Sequence, residues 1–148
     1  MSDNFTATFT VDRPAAEVFA AVNDVRSWWT GDIEGDTATT GDEFRYRYQN
    51  LHDTTQRITE SIPGERVVWH VVDGRLSFLK SPGEWKGTDI VFDLAPKDGG
   101  TEVRFTHVGL RRDCECYDAC SDGWSRFIGG NLRQFILTGE PQPNPFEA

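Results

Sequence analysis

From about Asp113 to Leu137, bulky side chains recur at every third or fourth position: Cys116, Cys120, Trp124, Phe127, Asn131 and Phe135. At about 100° of turn per residue these fall on one stripe, which predicts a single long amphipathic helix. Ile128, Leu132 and Ile136 widen the stripe, and Gly139 ends it. Gly129 and Gly130 each weaken a helix by about 1 kcal/mol relative to Ala, so they signal close packing or a bend.

Upstream the period is two. Phe5, Ala7, Phe9 and Val11 share one face of a first strand. Phe44, Tyr46 and Tyr48 share another, and strands are predicted at Gln56–Ile62, Val67–Val72, Thr88–Leu94 and Thr101–His107. Between the first two strands, Asp12 and Pro14 open a short helix to about Val22, and a second short helix carries Val25, Trp28 and Trp29. The predicted class is α+β: an antiparallel sheet with one apolar face, covered by the one helix large enough to cover it. A curved sheet around a helix leaves a space between them. One domain over 1–140 and a loose, Pro-rich tail over 141–148 complete the expected organisation.

Charge narrows the function classes. The formal net charge is −9, from 24 acidic against 15 basic residues. Nucleic-acid binding needs a field of Lys and Arg to release counterions, so no nucleic-acid partner is expected. No apolar run is long enough to span a bilayer, and Met1–Phe5 does not resemble a secretory signal. Three closely spaced cysteines are not a disulfide framework, and the expected compartment is cytoplasmic.

Several stretches together resemble a known family. They are Phe9–Asp12 before the helix Pro14–Phe19, Trp28–Trp29, Ile58–Gly64 followed by Val67–Trp69, Glu84–Thr88, Phe105–Leu110 and Glu115–Trp124. On these the chain resembles the START-like (SRPBCC, helix-grip) superfamily, in the branch similar to the C-terminal domain of the heat-shock protein 90 ATPase activator. The resemblance implies a curved six-stranded antiparallel sheet gripping a long C-terminal helix, with two short helices after the first strand and a pocket for a small hydrophobic molecule. It implies no shared catalytic residue set, so no catalytic role is assigned, and neither a metal nor a cofactor is expected. A monomer binding a lipid-like molecule is expected. An enzyme acting in the same cavity, or a module that modulates a chaperone ATPase, are the alternatives.

The residues expected to line the pocket are Trp28, Tyr46, Tyr48, Glu60, Trp69, Phe78, Phe92, Phe105, His107, Cys116, Cys120, Trp124 and Phe127. Each has a structural reading beside the functional one. Cys114, Cys116 and Cys120 with His107 have the ligand types of a zinc site, yet lack a CxxC pair, and buried thiols are commonplace. A Cys–His nucleophile needs His107 in contact with a thiol. Glu60 points inward if the period set by Ile58 and Ile62 holds, or outward if a bulge shifts it. His107 is inward by alternation, as a ligand contact or a satisfied core residue. Adjacent Trp28 and Trp29 cannot both be buried on one helix, so one is expected at the pocket mouth. His52 and His70 read as outward or loop residues.

Overall fold

The computed structural model describes residues 4–49, 51–77, 79–80 and 83–143. Strand β1 (Asn4–Val11) leads into helix α1 (Ala15–Asn23) and a single 3-10 turn (Val25–Ser27). Six strands follow: β2 (Asp32–Gly35), β3 (Glu43–Tyr48), β4 (His52–Ile62), β5 (Arg66–Leu76), β6 (Asp89–Lys97) and β7 (Gly100–Arg111). They form one sheet in the order β1-β7-β6-β5-β4-β3-β2, antiparallel throughout. The sheet thus has seven strands where six were expected. The extra one, β2, is a short edge strand with little apolar content to announce it.

The C-terminal helix is continuous but not uniform. It runs as α2 (Tyr117–Trp124), a π-helical segment (Ser125–Leu132) and α3 (Arg133–Thr138), and Gly139 turns it off in the left-handed conformation. Gly129 and Gly130 lie in the π-helical part, where a Cβ on either would meet nothing within 4 Å. Close packing is therefore not their role; they sit where the helix changes winding.

The helix lays Cys120, Trp124, Phe127, Ile128, Leu132 and Ile136 on the inner face of the sheet. There they meet Phe105, Val103, Phe92, Trp69 and Ile58, each 0% exposed. Asn131, the one polar residue on the stripe, is buried with both amide bonds used: its Nδ2 donates to Trp28 O (3.1 Å) and Pro143 O (3.0 Å). The Gln142 N–H donates to Ser27 O at 2.9 Å, so the tail is held as far as Pro143.

Two expectations are corrected here. Trp28 and Trp29 are both buried, at 0% and 2% exposure. They are not on one helix: Trp28 ends the 3-10 turn with φ −134°, and the two indoles stack with centroids 6.4 Å apart. Glu60 does not face the helix. The register of β4 against β5 shifts between Ile58 and Glu60, and beyond this bulge the inward parity is lost. Glu60 lies half-exposed on the other face, 3.3 Å from the Arg66 guanidinium.

Candidate functional site

The sheet and helix diverge at the β3–β4 end, and there a recess of about 500 Å³ opens. Trp29, Tyr46 and Tyr48 form one side, with His52, Leu51 and Gln49 at the hairpin end. Trp85, from the β5–β6 connection, forms another. The helix contributes Ala119, Cys120, Gly123, Trp124 and Phe127. No charged side chain lies in this wall among the described residues. A larger recess, about 650 Å³, lies between Arg45, Asp53, Asp73 and Arg75. It is an outer-face groove where Arg45 already grips Asp53 through two bonds of 2.6 and 2.8 Å.

Of the residues predicted to line a pocket, Tyr46, Tyr48, Cys120, Trp124 and Phe127 are in this wall. Trp28, Trp69, Phe92 and Phe105 are instead core, ring against ring: Trp69 meets Phe92 edge-on at 4.9 Å, and Phe92 meets Phe105 at 5.3 Å. Cys116 is buried behind Cys120. Phe78 lies outside the described residues. The wall also contains residues that sequence reasoning passed over. Trp29 takes the place expected of Trp28, and Trp85 comes from a loop with no periodicity. His52 is on a strand rather than in a loop, because β4 begins four residues earlier than Gln56 and its inward parity carries back through Gln56 and Thr54 to His52.

The aromatic geometry is ordered. Trp29 and Tyr46 stack at 4.0 Å and 8°, and Trp85 and Trp124 stack at 5.6 Å and 12°. The His52 ring stands nearly perpendicular to Trp29, Tyr46 and Trp85. Tyr46 Oη donates to Thr30 O at 2.7 Å, and burial pushes its phenol pKa up, so it stays neutral.

His107 is not a pocket residue. The Trp124 indole N–H donates to its Nδ1 at 3.0 Å, and its Nε2 lies 2.8 Å from Thr88 Oγ1. The Thr88 hydroxyl in turn donates to Trp85 O at 2.6 Å, so it accepts from His107, whose proton is on Nε2. Both imidazole nitrogens are used, and burial pushes the pKa down to about 3. A neutral, fully bonded imidazole has no free nitrogen to act as base for a thiol or ligand for zinc. Among the described residues, no three His, Cys, Asp or Glu side chains gather as a metal site would require. The adjacent Cys120 thiol, and then burial, push the Cys116 thiol pKa up, the opposite of an activated nucleophile.

The helix start and the Trp85 loop are stitched together. The Glu84 carboxylate accepts the backbone N–H groups of Glu115 (2.9 Å) and Cys116 (3.0 Å), and Glu115 accepts from Lys80 N at 2.8 Å. Backbone donors just ahead of the helix thereby gain an anionic partner, which the helix dipole also favours. The same bonds fix Trp85 against Trp124.

Residues 12–136 match the family described as activator of Hsp90 ATPase homolog 1-like protein. The chain belongs to that family. No curated protein sequence matches the chain. Among solved structures, the Aha1 dimer from Colwellia psychrerythraea superposes with a TM-score of 0.73 at 23% identity, over 92% of this chain and 97% of that one. MLL2253 from Mesorhizobium loti gives 0.71 at 16%, over 91% and 98%. DynU16, from the dynemicin biosynthetic locus, gives 0.70 at 20%, over 95% of this chain and 49% of its own. This activator-like chain thus shares its START-like, helix-grip fold with proteins of diverged sequence. At such identities the likeness is one of fold.

Proposed function

We propose that this activator-like domain binds a small hydrophobic molecule in the recess between the β3–β4 end of the sheet and the C-terminal helix. The observation that carries the reading is the wall itself: a concave space of about 500 Å³, rich in aromatic rings and, among the described residues, without a charged side chain. That volume lies within the range of small-molecule sites, and apolar walls with a few polar groups are their usual composition. Tyr48, His52 and Gln49 are the polar groups available. Binding is favoured over catalysis because the groups once considered for chemistry are dispersed or engaged: Glu60 is outside, His107 is fully bonded and the Cys116 thiol is held protonated. The same reading has the protein acting as a monomer in the cytoplasm.

Native mass spectrometry of the purified protein, together with quenching of tryptophan fluorescence by the neutral probe N-phenyl-1-naphthylamine, tests the proposal. Binding in the wild type, lost in Ala119→Trp, which fills the recess from the helix side, is the expected result. Equal probe binding by both proteins would overturn it. The family match also supports a second reading, in which the domain modulates a chaperone ATPase. Against that, among the described residues the exposed large apolar side chains, Leu51, Ile62 and Val108, are distributed over different parts of the fold rather than joined in a docking patch.

A further inference from the structure

A short polar chain leads into the recess from the sheet. Gln56 is fully buried, and its Nε2 donates to Thr54 Oγ1 at 2.5 Å. Thr54 is itself buried, and its Oγ1 lies 2.9 Å from His52 Nε2. A hydroxyl has one proton to give. Thr54 Oγ1 accepts from Gln56 and has no other acceptor for its own proton among the described residues than His52 Nε2, so it donates there and Nε2 is the unprotonated nitrogen. The imidazole is neutral, since burial pushes its pKa down to about 3, so it carries its proton on Nδ1. This assignment follows from the hydrogen-bond network. Nδ1 has no partner among the described residues, yet it is not among the sealed polar atoms. His52 lines the recess and also a smaller cleft beside Arg45, Arg47 and Asp53.

Aromatic rings surround His52. Two stacked pairs, Trp29 with Tyr46 and Trp85 with Trp124, border the recess, with Trp29 and Trp124 tilted 38° to one another, an aromatic wall suited to an aromatic guest. A charged guest would lose its hydration among these residues with no counter-charge in the wall to offset it.

We infer that the recess selects uncharged, planar aromatic molecules bearing a hydrogen-bond acceptor, and that Thr54 sets this preference by holding His52 as the Nδ1–H tautomer. The inference rests on the binding function proposed above and narrows its ligand class. Thr54 is a positioning residue, and His52 is the group that touches the ligand. His107, held as the Nε2–H tautomer by Trp124 and Thr88, gives an internal contrast within the same protein.

The test has two readouts. Nitrogen-15 NMR of the three histidines reports the tautomer of each directly. The wild type should show His52 protonated at Nδ1 and His107 at Nε2. Thr54→Ser should keep that pattern and Thr54→Val should lose it at His52. Fluorescence titration then compares 2-acetylnaphthalene with 2-ethylnaphthalene and 2-naphthoate. The ketone should bind roughly three- to tenfold tighter than the hydrocarbon, as one neutral hydrogen bond provides. The carboxylate should bind weakest. Thr54→Val should bring the ketone-to-hydrocarbon ratio close to one, and Thr54→Ser should restore it. An Nε2–H tautomer at His52 in the wild type, equal binding of ketone and hydrocarbon, or tightest binding of the carboxylate would each overturn the inference alone. Failure of all three naphthalenes to bind would overturn the proposed binding function as well.

Discussion

The indole N–H of Trp124 donates to His107 Nδ1 across 3.0 Å of buried space, joining the C-terminal helix to β7 by a bond between two neutral rings. Because His107 refuses a proton in the folded state until about pH 3, while the unfolded side chain accepts one near pH 6.5, the unfolded chain binds more protons between those values. Stability therefore falls as pH drops through that window. From this one site the loss should be about 2 kcal/mol between pH 7.5 and pH 5. Urea unfolding at the two pH values measures it, and His107→Gln, which cannot titrate, should show a correspondingly shallower dependence.

Glu84 supplies the anion at the start of the C-terminal helix. Glu84→Ala should cost about 1 kcal/mol, as loss of a helix-capping side chain does. Hydrogen exchange should quicken at the amides of Glu115 and Cys116 while those of β6 and β7 keep their protection.

Asn131 holds Trp28 O and Pro143 O at once. Asn131→Leu, which suits the apolar stripe by character, strips the buried Trp28 carbonyl of this partner and should destabilise the protein by about 1–3 kcal/mol. Faster exchange at the Gln142 amide, measured by NMR, would report that the tail had come away from Ser27.

Gly129 meets no neighbour that a methyl group would strike. Gly129→Ala should therefore raise stability by up to about 1 kcal/mol through helix propensity, read as a higher urea midpoint. A loss instead would mean that the π-helical winding itself requires glycine there.

Thiol reactivity should rank by environment. Cys114 is half-buried, while Cys116 is sealed, with its thiol held protonated by Cys120 and by burial. Iodoacetamide at pH 8 should modify Cys114 first and Cys116 last in the native protein, with all three reacting once it is unfolded. Peptide mass mapping over time distinguishes them.

The architecture was legible in the sequence because two periods, about 3.6 and 2, were written in side chains large enough to leave no ambiguity: Trp124 and Phe127 on the helix, Phe92 and Phe105 on the strands. The site was legible only in part. Parity fails wherever the pleat is interrupted: the sequence leaves Glu60 open between inward and bulge-shifted, and the bulge after Ile58 puts it outside. Parity also cannot be applied until a strand's start is known, which hid His52 behind the polar run of residues 52–56. Trp85 had no local signal at all. Its position is set by Glu84 bonding to a helix that lies thirty residues further along the chain. Trp28 and Trp29 differ from the one-helix expectation for a simpler reason: the 3-10 turn ends at Trp28 and points two adjacent indoles where one helix could not.

The pairing of β1 with β7, from Asn4↔Arg111 to Val11↔Thr101, has a consequence for biosynthesis. Within this domain the first strand made waits for the last, and the helix that covers the apolar face of the sheet is made later still. A nascent chain stalled after Arg111 has every strand but no cover for Trp69, Phe92 and Phe105. Until the final turns of that helix emerge, those rings are open to whatever holdase is nearest.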